Sequence, residues 1–309
     1  MSQSTAALYA ELRPLLFSIA YRMLGAVTEA EDVVQDSFVR FQHALQDGTV
    51  IQNPKAYLTT TATRLSLDTL TSARRNRESY LGEWLPEPLL ASDELGPAGQ
   101  AELSDSLSMA FLIVLESLNP IERAVFLLRD VFGYPYEEVA EFVDRSPENC
   151  RQILVRARAK VQQDRPRFDA SPERRAALAE SFFAACRRGD LAALKELLAA
   201  DVAWHGDGGG KAPATARTIY GADRVLRLLV SLFGQGATLG MVSEPALVNG
   251  QPGAVNRTAD GQIVSVFALE IADGQVQAVH SVVNPDKLGH LGPVADVRAL
   301  LAGLRRPRP

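Results

Sequence analysis

LNPIERAVFLLRDVFGYPYEEVAEFVDRSPENCRQILVRARAKV, Leu118 to Val161, is the stretch that decides how this chain reads. Asn119 is a capping residue, Pro120 takes the first helical position and Glu122 supplies the reciprocal carboxylate, so a helix opens here. Gly133 to Pro135 breaks it. A short second helix follows over Glu137–Val143, and Asp144-Arg145-Ser146-Pro147 resets the cap for a third, from Pro147 to about Val161. At about 100° per residue, Cys150, Ile153, Leu154, Ala157 and Val161 share one apolar face. Glu148, Gln152, Val155 and Ala159 project from the opposite face, flanked by Arg151 and Arg156. A buried back and outward donors on the last of three helices are what a helix-turn-helix needs to enter a DNA major groove. The plainer alternative is a three-helix packing unit with a solvated basic face. The turn spacing and the Arg placement favour the first.

Working outward, 309 residues suffice for two or three domains with cores that need no covalent staples. A hydrophobic share of 47% with 22% charged residues places the chain among soluble globular proteins. No apolar run approaches a membrane span, and MSQSTAALYAELR lacks a signal peptide's basic start and hydrophobic core, so the expected location is the cytoplasm, with no membrane partner. The two cysteines, Cys150 and Cys186, fall at apolar helix positions and read as small core residues of a reducing compartment. Four scattered His and no Cys pair leave nothing with zinc-site spacing, and no metal or cofactor is expected.

A net charge of −5 sits oddly with DNA, but the charge is segregated. Residues 1–170 hold 17 Lys/Arg against 24 Asp/Glu, and residues 171–309 hold 15 against 13. The basic residues of the first part cluster at Arg64–Arg77 and Arg151–Arg167. Between Arg77 and Arg123 there is no Lys or Arg, while nine acids occur. Local fields govern phosphate binding, so two basic patches joined by an acidic connector suit DNA despite the sum.

Residues 5 to about 80 are helical by period. Thr28-Glu29-Ala30-Glu31 reads as a capping box opening a helix through Leu45, with Val34, Phe38, Phe41 and Leu45 as its buried stripe. Asp32, Asp36 and Val39 line its other face with Gln35 beside them. A loop, Gln46 to Asn53, leads into NPKAYLTTTATRLSLDTL, a helix with Tyr57, Leu58, Leu65 and Leu67 apolar and Arg64 outward, ending in Arg74-Arg75-Asn76-Arg77.

EAEDVVQDSFVRF, NPKAYLTTTATRLSLDTLTSARR and the helix-turn-helix, in that order, resemble an extracytoplasmic-function (ECF) sigma factor, a bacterial transcription-initiation subunit. The resemblance covers roughly residues 8–162. It implies core RNA polymerase, through its largest and second-largest subunits, and promoter DNA as partners. Asp32, Gln35 and Asp36 would then grip the clamp helices of the largest subunit. The Gln46–Asn53 loop and the helix from Pro54, with Asn53 and Lys55, would capture an unstacked base of the −10 element, and Arg64, Arg74 and Arg75 would hold its phosphates. Arg151, Gln152 and Arg156 would contact the −35 element. Cys150 departs from the family's usual aliphatic residue, and Pro135 stands where a Ser cap is common.

The chain continues well past the point, near residue 165, where minimal sigma factors of this kind stop. Ser79 to Gly99 is Pro/Gly-rich and acidic, a linker with little regular structure. Within it, Trp84-Leu85-Pro86-Glu87-Pro88 sets a large aromatic in an extended segment, where it wants a surface to bury against. Residues 173–290 read as helices Glu173–Arg188 and Asp190–Ala199, a strand Val202–His205, a helix Ala222–Phe233, then strands near 238–247, 254–257, 262–271 and 275–283, with Asp260-Gly261 and Asp273-Gly274 as hairpin turns. Helices followed by an antiparallel meander describe an α+β cone with a central pocket. It resembles a SnoaL-type, cystatin-like domain. Asp207-Gly208-Gly209-Gly210-Lys211, NGQP at Asn249–Pro252, Asn284-Pro285-Asp286-Lys287-Leu288 and WLPEP together resemble the sigma-factor branch that carries such an extension. The expected architecture is thus multidomain: two all-α sigma domains, the second a helix-turn-helix, plus an α+β cone. The expected bounds are 1–78, a linker 79–104, 105–168, 171–290 and a tail 291–309.

DGGGK could cradle a phosphate through its exposed amides, but it lacks the full P-loop spacing and a following helix. The preferred reading is a tight loop whose glycines admit a neighbour, with DGGGK, NPDKL and WLPEP forming one docking surface. Two functions stay open. In one, the chain is a non-catalytic promoter-specificity factor regulated by its own extension. In the other, the extension is a cyclase- or isomerase-type enzyme or binds a small ligand in its pocket, with His205, Asp207 and His280 the members a His–Asp or carboxylate mechanism would use. A third reading, a ligand-sensing regulator that never meets polymerase, leaves the Asp32/Gln35/Asp36 face without a use.

Overall fold

The computed structural model describes residues 5–77, 80–90, 106–164 and 171–304, with the backbone alone described for 73–77 and 164. The chain divides into two compact units, Met1–Ser79 with Phe111–Arg165, and Tyr80–Ala110 with Pro166–Pro309.

The first unit is helical. Helices α1 (Thr5–Leu24), α2 (Val27–Gln46) and α3 (Pro54–Arg77) form one bundle. Its apolar stripes meet where Leu16, Ile19, Val34 and Leu58 lie almost fully buried. α2 begins at Val27 with Ala26 in the cap position and no side-chain cap bond there, rather than on a box at Thr28. Leu45, expected inside, is 45% exposed because the stripe runs out in the last turn of the helix. After α4 (Met109–Leu115) comes α5 (Pro120–Phe126), opened by the capping box of Asn119 and Glu122, which runs on as a π-helical turn, Leu127–Val131. Helices α6 (Tyr136–Val143) and α7 (Pro147–Asp164) complete the helix-turn-helix. Asp144 ends α6 in the left-handed region at φ 54°. Cys150, Ile153, Leu154, Ala157 and Val161 of α7 are all buried.

The two helical modules of this unit pack on each other, α3 against α5 and α6, and α1 against α5 and the π-turn. Two arginines hold the seam. Arg123, 2% exposed, donates to the Met23 carbonyl at 2.8 Å and the Leu115 carbonyl at 3.0 Å, and pairs with Glu116. Arg22, also buried, lies over the Phe132 ring at 5.5 Å. Burial pulls its guanidinium pKa down to about 10, still charged at neutral pH.

The second unit is the α+β cone. Helices α8 (Pro172–Arg188), capped by Ser171, and α9 (Leu191–Leu197), capped by Asp190, precede β1 (Leu198–Asp207) and the short β2 (Ile219–Tyr220). Then come α10 (Ala222–Thr238), β3 (Val242–Val248), β4 (Gln251–Arg257), β5 (Ile263–Ala272), β6 (Gln275–Val282) and a terminal α11 (Val297–Leu304). The sheet order is β2-β1-β6-β5-β4-β3, antiparallel except for the β1–β6 pair. One face, carrying Trp204, Phe267 and Leu269, packs on Phe182, Phe183 and Leu229 of the helices. Because side chains alternate along a strand, His205 and Asp207 belong to the opposite face. The segment 80–90 lies on that side, with Leu90 bridged to Val248 of β3. The strands run longer than expected at β1 and β4, where small and polar residues hide the apolar pattern.

Candidate nucleic-acid interface and linker-docking site

On α2, Asp32, Gln35 and Asp36 are exposed together, while Val33, Val34 and Phe38 turn inward. That leaves an acidic face with no packing duty. Asn53 is spent locally, since its Oδ1 accepts from the Ala56 amide and caps α3, and Lys55 is exposed beside it. Arg64 is exposed, in keeping with its outward placement, and is also engaged. Its guanidinium donates to the Glu141 and Phe142 carbonyls at 2.9 and 3.4 Å, at the end of α6. Those are the unsatisfied last carbonyls of a helix, a natural seat for a cation. The side chains of Arg74 and Arg75 lie outside the described residues.

On α7, Arg151, Gln152, Val155 and Arg156 are exposed. Arg151 lies within 3.5 Å of Glu148 and 3.7 Å of Glu137, and its guanidinium sits over the Tyr136 ring. These exposed pairs are weak, so they pre-orient Arg151 without committing it. Two further cations brace the helix. Arg158 grips Asp130 by two bonds of 2.7 Å, and Lys160 reaches Glu122 at 2.7 Å. Burial works to raise the Glu122 carboxyl pKa, but Lys160 and the Asn119 amide hold it below its usual value.

The second unit contains a tighter constellation built on Asp207, which is fully buried at the end of β1. Its carboxylate accepts from the Tyr80 hydroxyl at 2.5 Å, the Leu85 amide at 2.9 Å, the Gly209 amide at 3.0 Å and the Lys287 ammonium at 2.6 Å. Its carbonyl accepts from the Val283 and Asn284 amides. Lys287 in turn donates to the Leu85 carbonyl at 2.5 Å and lies over the Tyr80 and Trp84 rings at 4.9 and 4.3 Å. Burial, then the bond to Asp207, pushes the Tyr80 phenol far above its ordinary pKa and keeps it a donor. Three neutral donors and a buried ammonium around one carboxylate satisfy it and leave little lone-pair capacity for anything else.

Three motifs expected to share a surface, DGGGK, NPDKL and WLPEP, are therefore brought together by one residue. The glycines permit the approach. A Cβ on Gly209, at φ 55°, would run into the Asn284 amide and meet the Tyr80 hydroxyl at 3.0 Å, and one on Gly210 would meet Leu81 at 2.7 Å. Of WLPEP, Leu85, Pro86 and Pro88 are buried, while Trp84 and Glu87 are half-buried. Lys211 of DGGGK pairs with Asp286 of NPDKL at 2.5 Å.

Asn249 is a second clasp. In the left-handed region at φ 52°, its Oδ1 accepts from the Leu89 amide, its own amide donates to the Leu89 carbonyl, and its Nδ2 donates to the Leu107 carbonyl at 3.0 Å. Nothing in local sequence pattern singles out Tyr80, Glu83 or this role of Asn249, since their partners lie more than a hundred residues away. Glu83 accepts from Thr218 and pairs with His205 at 2.5 Å; burial works to raise its carboxyl pKa, but His205 holds it down. His205 stacks on His280 at 4.9 Å, and both face the linker.

A cavity of about 600 Å³ lies on the other face of the sheet, lined by Trp204, Phe267, Asn256, Ser265 and Ser281 among others. None of His205, Asp207 and His280 lines it: His205 and Asp207 are bonded to the linker, and His280 stacks on His205. The constellation that a catalytic extension would use does not face its pocket. Among the described residues no group of three or more His, Cys, Asp or Glu could hold a metal, and no helix is long and apolar enough to cross a membrane.

Residues 8–76 match Sigma-70 region 2, residues 108–161 match Sigma-70 region 4, and residues 179–284 match the SnoaL-like domain. The chain belongs to the ECF RNA polymerase sigma factors, in the form that carries a SnoaL-like domain after region 4. It is 37% identical over 285 residues to ECF RNA polymerase sigma factor SigJ of Mycobacterium tuberculosis, covering 89% of this chain and 90% of that one. Probable ECF RNA polymerase sigma factor SigI of the same species is 34% identical over 281 residues, with 90% and 93% covered. The crystal structure of SigJ superposes with a TM-score of 0.75 at 34% identity, covering 94% of this chain and all of that one.

Proposed function

We propose that this sigma factor directs core polymerase to its promoters with Asp32, Gln35 and Asp36 as the polymerase-binding face. The 47–53 loop with Asn53, Lys55 and the head of α3 takes the melted −10 strand, and Arg151, Gln152 and Arg156 read the −35 element. Arg64 joins the phosphate contacts once it leaves the α6 carbonyls. The fused domain acts on this activity through the connector, without catalysis of its own.

The carrying observation is the double attachment of that connector. Asp207 holds Tyr80 and Leu85, and Asn249 holds both Leu89 and Leu107. Leu89 and Leu107 thereby meet on one asparagine. Promoter elements centred about 25 base pairs apart are separated by about 85 Å along B-DNA. Freed at Leu107 alone, the roughly 18 residues from 91 to 108 could span up to about 60 Å. The clasp therefore limits reach, while the Asp207 hub keeps the connector on a defined surface and stops it from becoming an entropically loose tether.

The test is run-off transcription with core polymerase and two variants. Asn249→Asp keeps the acceptor for Leu89 but sets an oxygen against the Leu107 carbonyl, and output is expected to rise. Asp207→Ala releases Tyr80 and Leu85 while Asn249 still clasps Leu89 and Leu107, and output is expected to fall. Equal output from both variants and the unaltered protein would remove the connector from control.

A further inference from the structure

Three of the chain's four histidines, His205, His280 and His290, lie along the seam where the cone holds segment 80–90. Two of them touch the linker directly. His205 pairs with Glu83, and Nε2 of His290 donates to the Pro88 carbonyl at 2.9 Å, with Glu87 4.0 Å from its Nδ1. His280 is the exception. It is the register partner of His205 across β1 and β6, so the two rings stack, with 18° between their planes. It is 3% exposed, and neither ring nitrogen has a hydrogen bond. The titratable groups that face it are His205 on β1, Glu270 on β5 at 3.7 Å, and Glu83 on the linker. At that distance the Glu270 carboxylate is too far for a hydrogen bond.

A buried imidazole with both nitrogens idle fills space that Phe or Leu would fill without a polar penalty. What sets it apart is that it can take a proton. Burial holds the ring below its ordinary 6.5 although Glu270 works to raise it, so the ring is neutral beneath the docked linker. An imidazolium there would need water. Strands β1 and β5 flank His280 within the sheet, and the other face of the sheet is packed by helices. Water therefore has to come from the linker side, where Leu85 is wholly buried and Glu83 is bonded to His205.

We infer that His280 is a proton-operated latch for the linker: the neutral ring lets segment 80–90 dock on the cone, and protonation of the ring releases it. Lifting the segment admits water to the imidazolium and returns Glu83 to solvent. The docked state disfavours the proton and the released state accepts it near the ordinary 6.5, so docking is full above that pH and weakens as pH falls through it. One proton limits the response to about tenfold per pH unit. For its effect on transcription the inference rests on the connector reading, which the Asn249 and Asp207 variants test with polymerase. Docking itself is measured on the free chain, so failure of the one is distinguishable from failure of the other.

The test is hydrogen exchange on the full-length chain at about pH 7.5 and about pH 5.5, each amide corrected for its intrinsic rate. The reporter is the Leu85 amide, which donates to Asp207 when the linker is docked. Its protection is expected to fall about tenfold between the two conditions. At both it is expected to stay at least about tenfold below that of amides at the centre of β5, because the linker lifts while the sheet remains folded. In His280→Phe and His280→Gln, neither of which titrates at this position, Leu85 protection is expected to be the same at both pH values. Protection that holds or rises on acidification, a fall that persists in the variants, or Leu85 protection equal to that of β5 would each overturn the inference.

Discussion

At the scale of single residues, buried charge explains more of this molecule than its surface does. Asp207 with Lys287, and Arg123 with its two carbonyls, are polar groups taken out of water because several partners meet them at once. His280 is the contrasting case. It is fully buried, stacked on His205, and its two ring nitrogens have no hydrogen bond, with Glu270 3.7 Å away. Burial holds its pKa below the ordinary imidazole value of 6.5. The folded protein therefore keeps it neutral while the unfolded chain takes up a proton, so its contribution is present above about pH 6.5 and lost as pH falls below. The thermal transition of the cone is expected to drop between pH 6.5 and 5, and His280→Phe to flatten that slope. An unchanged slope in the variant would assign the acid sensitivity to another group. Sequence reading placed Asp207 in the docking surface and also held it, with His205 and His280, as what a catalytic alternative would use, because alternation alone does not say which face of a strand is covered. Likewise it weighted Trp84 for its size, whereas Leu85 is the side chain that is wholly buried.

At the scale of elements, the periodic helices were the most legible. Every position expected on the apolar face of α7 is buried, since a 3.6-residue repeat against a single core leaves little choice. The capping box at Asn119 is formed as the residues suggest. The start of α2, the extents of β1 and β4, and the bonds of Arg64 to α6 were not legible. Each depends on a partner brought in by tertiary structure, 77 residues away in the case of Arg64 and Glu141. On α7, Arg156 is exposed beside Gln152 and Val155. Arg156→Ala is expected to cost roughly 1–3 kcal/mol of −35 affinity if it meets a base edge in bidentate fashion, with discrimination at one base pair relaxed. A phosphate contact would instead weaken all sequences and lower the salt slope by about one. Binding of both cognate and random duplex unchanged by the substitution would take Arg156 off the DNA face.

At the scale of the molecule, the region 2 and region 4 modules form one packed unit, sealed by Arg22, Arg123 and the Arg64 contacts with α6. In that arrangement α3 and α6 lie side by side, and elements about 85 Å apart on DNA cannot both be engaged. The account therefore requires the unit to open when polymerase and promoter bind, with the connector clasp among the restraints to be released. Fluorescence energy transfer between dyes at Asp68→Cys on α3 and Glu141→Cys on α6 measures this directly; both positions are exposed, and the native Cys150 and Cys186 are buried. For the free protein the account predicts a separation of about two helix diameters, roughly 20–24 Å. In the complex with core polymerase and promoter DNA it predicts an increase to several tens of ångström and loss of transfer. High transfer persisting in a transcriptionally active complex would contradict it.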